Sequence, residues 1–325
     1  MTVLVTGGAG YIGSHTVYAL VDRGEDVVVV DNLSTGQRAL VSEAAAFVQG
    51  DVGDPTLLRQ ILGEYSIDAV IHFAGSIVVP DSVADPLSYY RNNTGASRAL
   101  FETCVATGTR RFIFSSSAAV YGSAGDKPVP ENAELGPVSP YGRSKLMTEW
   151  MLEDAARAGI LDYIALRYFN VAGADPKGRT GQSTPVATHL VKRACQVALG
   201  RIDRLDIFGT DYPTPDGTGV RDYIHVTDLA NAHLAALDAL RAGKASGAYN
   251  AGYGRGYSVR EVISAVEQVI GRKLPVREAP RRPGDPASIV ADVARIRNDL
   301  HWTATHDDLP EIVRTAYAWE SRLNR

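Results

Sequence analysis

A chain of 325 residues, 45% hydrophobic and 22% charged, has the apolar material for one large or two intimately joined domains and is not a disordered polymer. A net charge of -4 gives no general attraction for nucleic acid or an anionic membrane, so any anionic ligand has to be held locally. Two distant cysteines, Cys104 and Cys195, form neither a disulfide framework nor a metal cluster, and no apolar run approaches the ~20 residues of a membrane span; with no basic leader before the first strand, the expectation is a cytoplasmic protein.

In chain order, Val3 to Thr6 reads as a short buried strand, and the turn that carries Gly7, Gly10 and Gly13 opens a helix from about Ser14 to Arg23. Four consecutive valines, Val27 to Val30, end in Asp31, as expected of a parallel strand covered on both faces. The alternation continues with a strand at 46–49, a helix from Pro55 to Leu62, a strand at 69–73, a helix from Ser88 to Thr107, and a strand at 112–114. A helix from Tyr141 to Ala158 and a strand from Tyr163 to Tyr168 complete an α/β, doubly wound parallel Rossmann sheet over residues 1–170. After Asn170 the texture turns rich in Gly, Pro and Thr. A helix is expected from Val186 to Leu199 and another from Asp228 to Leu240, with a strand at 248–251 returning to the sheet. A Pro/Arg-rich loop from Ala279 to Pro286 then precedes two terminal helical segments. Residues 171–325 thus read as a smaller mixed α/β substrate domain, with elements around 222–252 rejoining the first.

The glycine turn gains meaning from its place after the first strand, at the start of a helix, with Asp31 about 20 residues on. Such a turn brings backbone close to a pyrophosphate, and Asp31 accepts from a ribose diol while repelling a 2′-phosphate, which points to NAD over NADP; Arg38 nearby is the one residue that argues the other way. Asp51 and Val52, and Phe73, Ala74 and Gly75, follow the third and fourth strands, where an open sheet meets its ligand. Asp51 is read either as facing the adenine amino group or as the N-cap of the helix beginning at Pro55. His72, between Ile71 and Phe73, is read as packing.

Ser115, Ser116 and Ser117 end the fifth strand, so that one hydroxyl reaches the same edge as Tyr141 and Lys145, which lie four apart on one helical face. Lysine beside tyrosine is expected to favour the phenolate, and the set suits removal of a proton from an alcohol whose carbon gives hydride to NAD. A serine hydrolase would want a GxSxG elbow, and the chain has none. A dehydrogenase that consumes free NAD, or a redox-sensing module, would share the cofactor fingerprint. In the second half, Arg221 and the pair Arg281 and Arg282 sit in Gly- and Pro-bounded loops suited to forking onto phosphate, which implies a second anionic ligand; no metal site is expected.

The stretches MTVLVTGGAGYIGSH, VDNLSTG, VIHFAG, FIFSSSAAVYG, SPYGRSK, LRYFNVAGA, DGTGVRDYIHVTDLA and PRRPGDPA, in this order from Met1 to about Asp292, resemble the extended short-chain dehydrogenases, and among them the UDP-glucose 4-epimerases. The resemblance implies that Ser117 and Tyr141 address a sugar 4-hydroxyl, with Tyr141 as base and Lys145 on the nicotinamide ribose, in a reaction that passes through a transient 4-ketose and returns NAD unchanged. It implies NAD contacts from Gly7, Gly10, Tyr11, Ile12, Gly13, Asp31, Asn32, Ser34, Gly36, Asp51, Val52, Phe73, Ala74, Gly75, Asn92, Ser115 and Phe169. UDP-sugar contacts are implied for Asn170, His189, Leu190, Asp206, Ile207, Phe208, Arg221, Tyr223, Arg282 and Asp285, and a homodimer for the assembly, built on the helices at 88–107 and 141–158. Three positions depart from the family pattern: Ile77 replaces a lysine, His189 replaces an asparagine, and Ser288-Ile289 stand where a bulky tyrosine bounds the sugar, which leaves room for N-acetylated hexoses. Ala118 and Ala119 after Ser117 lack the acidic pair expected of the related dehydratases.

Overall fold

The computed structural model describes residues 1–122, 127–184, 188–282 and 285–323. The first half lays down β1 (Thr2–Thr6), α1 (Tyr11–Asp22), β2 (Asp26–Asp31), β3 (Ala46–Gln49), α2 (Pro55–Glu64), β4 (Ile67–His72), α3 (Val79–Ala84), α4 (Pro86–Tyr89), α5 (Ala96–Thr107), β5 (Arg111–Ser115), α6 (Pro140–Arg157) and β6 (Asp162–Tyr168). The second supplies β7 (Asn170–Ala172), α7 (Leu190–Ala198), β8 (Leu205–Phe208), β9 (Val220–His225), α8 (Val226–Arg241), β10 (Gly247–Ala251), β11 (Gly256–Ser258), α9 (Val259–Ile270), β12 (Val276–Ala279), β13 (Ser288–Ile289), α10 (Ala294–Leu300) and α11 (Leu309–Glu320).

Seven strands make one parallel sheet in the order β3-β2-β1-β4-β5-β6-β10. The valine run explains its depth. Val27 and Val29 enter the core on one face and Val28 and Val30 the core on the other, the period-two alternation of a strand with no solvent side. On the first face α1 packs against α8; on the second, Leu58 and Ile61 of α2, Leu100 of α5 and Leu152 of α6 fill the layer. The second half is organised on β9, which pairs antiparallel with β11 and parallel with β13 and β7, while β8 and β12 form a separate parallel pair.

Several boundaries differ from the expectations. The segment expected as one helix from Ser88 begins at Pro86, where the Asp85 carboxylate caps the Ser88 N–H at 3.2 Å, and runs into α5 through a π-helical turn over Tyr90–Gly95. The helix expected from Val186 starts at Leu190; residues 185–187 lie outside the described residues, as do 283–284 of the Pro/Arg-rich loop. α9 was not anticipated, although Ser258 and Glu261 spell a capping box and both of its hydrogen bonds are made. Among the described residues, no helix is long and apolar enough to cross a membrane.

Candidate active site

The glycine turn closes β1 onto α1. Gly7 adopts φ +69° and donates to the Val30 carbonyl at 2.8 Å, and Gly10 donates back to Gly7 at 3.1 Å. A Cβ on Gly13 would stand 2.2 Å from the Gly7 carbonyl oxygen, so only glycine lets the helix start this close to the strand. Gly10 is the N-cap, no side chain caps the first turn, and no acidic residue stands in it. The N–H groups of Tyr11, Ile12 and Gly13 are therefore left for an anion at the positive end of the helix, as a dinucleotide pyrophosphate requires.

Asp31 braces this turn. One of its oxygens accepts from the Ala9 N–H at 2.9 Å and the other from the Leu33 N–H at 2.8 Å, and each keeps a lone pair for a diol. The loop behind it, with Asn32 accepting from the Ser34 N–H at 3.0 Å and Gly36 pressed against Ala9, folds back on the turn through Gln37. Arg38 is turned away: its guanidinium lies 4.7 Å from the centre of the Phe47 ring and bonds to Val41, which removes the one cation that argued for a 2′-phosphate. From the second half, residues 173–183 cross over the turn, where the Tyr11 hydroxyl donates to Gly173 at 2.7 Å, Ser14 meets Thr180 at 2.7 Å, and Gln37 donates to Ser183 at 3.2 Å.

Along the same sheet edge, the N-cap of α2 is Asp54, which accepts from Thr56 and Leu57, so the capping alternative for Asp51 falls away. Asp51 instead takes the Gly53 N–H at 2.7 Å and the Asn32 amide at 3.1 Å, with Val52 buried beside it. Phe73 packs on His233, Ala74 abuts the glycine turn, and Gly75 approaches Asn93. Asn92 and Asn93 occupy the π-helical turn: Asn92 donates to Ser76 at 2.7 Å, and the buried Asn93 ties Ser76 to Ser144 of α6. Asn93 and Ser76 escaped the sequence reading because nothing in their local pattern shows that they bridge two elements. His72 is structural, held by Thr6 at 2.6 Å and Ser97 at 2.8 Å and pushed down to about 3 by burial.

Each of the three serines after β5 points elsewhere. Ser115 Oγ donates to the Tyr168 hydroxyl at 3.1 Å, Ser116 is wholly buried against Glu149, and Ser117 makes a side-chain hydrogen bond to Tyr141. Lys145 Nζ donates to the Ser115 carbonyl at 2.9 Å and sits 4.9 Å from the Phe114 ring centre. Serine, tyrosine and lysine thus meet at one edge, as their order predicted, but the electrostatics differ from expectation. Burial pushes the Tyr141 phenol above its ordinary value and Ser117 pulls it back, while burial lowers Lys145 to about 8.

The second half frames the opposite wall. Asn170 and Tyr223 are cross-strand partners on β7 and β9, and with His189 and Leu190 they line one cavity; His189 is fixed by Gln182 at 2.8 Å. Phe169 packs between two cores. Arg221 pairs with Asp285, whose N–H donates to the Arg282 carbonyl at 3.2 Å, and the Arg282 guanidinium lies 3.8 Å from the Phe208 ring centre. These four residues form one corner. Two expected contact residues are otherwise engaged: the Ile207 side chain is in the core, and the Asp206 carboxylate is forked by Arg277 at 2.8 and 2.9 Å. Ile77 is exposed, and Ile289 lies beside Arg221 in the register of β13 with β9.

Comparison with known proteins agrees with this arrangement. A UDP-glucose 4-epimerase of Azospirillum brasilense is 56% identical over 323 residues, covering 99% of this chain and 93% of that protein. The crystal structure of UDP-glucose 4-epimerase from Brucella ovis in complex with NAD superposes with a TM-score of 0.95 at 47% identity, covering 98% of this chain and 97% of that one. The UDP-Glc/GlcNAc 4-epimerase of Campylobacter jejuni superposes with a TM-score of 0.87 at 45% identity over 99% of each chain. A profile described as the NAD dependent epimerase/dehydratase family matches residues 3–252, from β1 through β10. The chain belongs to the NAD dependent epimerase/dehydratase family.

Proposed function

We propose that this protein reversibly inverts carbon 4 of a UDP-hexose, interconverting UDP-galactose and UDP-glucose, with NAD as resident cofactor. The observation that carries the reading is the meeting of Ser117, Tyr141 and Lys145 at the sheet edge beside a glycine turn braced by Asp31. Residues 1–170, with α8 and β10, hold the cofactor; the remainder holds the UDP-sugar.

Bound NAD supplies the hydride acceptor and donor and, as a cation at the nicotinamide, the positive field that a buried phenol needs in order to ionise. Tyr141 takes the proton of the 4-hydroxyl and returns it, and Ser117 shares that proton's hydrogen bond. Lys145 would donate to the nicotinamide ribose when NAD is bound. Arg221 and Arg282 grip the diphosphate as the 4-ketose turns over, so the binding energy is spent on the nucleotide, remote from the reacting carbon. Ala118, in the turn after Ser117, offers no acid for dehydration.

Ser288 and Ile289 leave the sugar pocket open to an N-acetyl group, a reading in keeping with the named specificity of the Campylobacter jejuni enzyme. A homodimer built on the helices at 88–107 and 141–158 is in keeping with the exposed apolar side chains Met147 and Trp150 of α6, with Trp150 52% exposed, and with Val83 and Leu87 on the neighbouring α3 and α4. Formation of UDP-glucose from UDP-galactose without net NADH tests the function. Tyr141→Phe should lower that rate about 10²- to 10⁴-fold, and a near-normal rate would reject the assignment.

A further inference from the structure

Glu149 lies one turn beyond Lys145 and two beyond Tyr141 on the same face of α6, and it is buried. Its carboxylate accepts from Ser116 Oγ, while Arg167 of β6 forks onto it with Nε 3.1 Å from both oxygens and Nη2 2.6 Å from Oε2. Arg167 is held in turn by the Tyr121 hydroxyl and the Glu131 carbonyl, each at 3.0 Å. A buried ion pair is a poor source of stability compared with an apolar pair of the same volume, so its location calls for another reason.

That reason is Ser116. It is the middle residue of the turn whose first member offers its carbonyl to Lys145 and whose last offers its hydroxyl to Tyr141. We infer that Glu149 is a positioning residue for the epimerisation: through Ser116 it fixes where the Ser115 carbonyl and the Ser117 hydroxyl stand, and it sets a negative charge one turn from the Lys145 ammonium. This rests on the roles given above to Tyr141 and Lys145. Burial lowers Lys145, and Glu149 opposes that shift. The other ionisable groups around this centre are Tyr141 on the same helix, His72 on β4, which burial keeps neutral, and Tyr168 and Arg167 on β6. Among the described residues, Glu149 is the one carboxylate acting on Lys145.

The test is the pH profile of kcat for UDP-galactose epimerisation by the holoenzyme. Glu149→Gln should move the alkaline limb, set by loss of the Lys145 proton, down by about one pH unit, because removing the carboxylate leaves burial unopposed. Ser116→Ala keeps the charge and frees the turn, so kcat should fall roughly tenfold with the limb in place. If Glu149→Gln does not fold, the double variant Glu149→Gln/Arg167→Gln replaces the ion pair by a neutral hydrogen-bonded pair and should show the same shift. A soluble Glu149 variant with the wild-type limb and kcat within about twofold overturns the inference. Tyr141→Phe and Lys145→Met in the same assay separate the two levels. If both stay active, the catalytic assignment falls and this inference with it; if both are inactive while Glu149→Gln behaves as wild type, this inference alone falls.

Discussion

Asp31 is the position where a single exchange reports on cofactor and fold together. Its two oxygens take the N–H groups of Ala9 and Leu33 at 2.9 and 2.8 Å in a nearly dry site. Asn in its place keeps one acceptor and turns an NH₂ toward the other donor, so a charge-assisted bond worth ~1.5–3 kcal/mol is lost and a buried N–H is stranded. Together with a weaker grip on the ribose diol, the expected loss in NAD affinity is ~2–4 kcal/mol, or roughly 30- to several-hundred-fold. The same exchange removes the charge that repels a 2′-phosphate, so NADP should lose less than NAD, or gain. NAD content of the purified Asp31→Asn protein, thermal unfolding with and without each cofactor, and titration of both nucleotides provide the readouts, with a fall of roughly 2 °C per kcal/mol expected in a chain this long. Stoichiometric NAD and an unchanged Tm would refute the argument; a lower Tm with full NAD occupancy would leave Asp31 as a brace for the turn and nothing more.

Three other outcomes are expected. Trp150→Glu should convert a dimer to monomers in sedimentation or light scattering, since it places a charge on an exposed apolar position of α6; an unchanged mass would put the interface elsewhere. His15, His72, His225 and His233 are lowered by burial to about 4, 3, 3 and 4, and among the described residues the Nε2 atoms of His15 and His233 have no hydrogen-bond partner. The folded state therefore binds fewer protons than the unfolded one below pH ~6.5. The stability from neutral imidazoles is complete above that pH and declines toward pH 4, by up to about 1.4 kcal/mol per pH unit for each histidine. Urea titrations across that window should show the slope, and His72→Gln should reduce it by one histidine's share; a flat wild-type profile would contradict the burial. For the sugar pocket, similar kcat/KM for UDP-galactose and UDP-N-acetylgalactosamine is expected from Ser288 and Ile289, and loss of the acetylated substrate alone would reject the open pocket.

The parallel sheet is legible in the sequence because burial on two faces forces continuous apolar runs, and Val27 to Val30 can satisfy no other environment as well. The catalytic pair is legible because four-residue spacing on a helix is a geometric fact. What stayed hidden depends on partners distant in sequence. Glu149 and Arg167 are 18 residues apart on different elements, and Asn93 reaches Ser144 across 51. As a cap Asp51 is displaced by Asp54, the residue directly before Pro55 and the one placed to accept from Thr56 and Leu57. Spacing reports the nearness of Lys145 to Tyr141 but not the burial that raises the phenol. The short strands β8, β12 and β13, four residues or fewer, carry too little alternation to be seen.

The return of β10 to the sheet also dictates the order in which the molecule can be completed. When β6 has been synthesised, its outer edge has no partner, and that edge belongs to a strand with five consecutive buried residues, Tyr163 to Arg167. The missing neighbour arrives only with residues 247–251, after β7, β8, β9 and α8 have been made. Until then a long apolar edge stands open to pairing with another nascent chain. Cutting the gene near residue 170 would make that interval permanent, so the nucleotide-binding half expressed alone should aggregate, while co-expression with the remainder offers the strand that closes it.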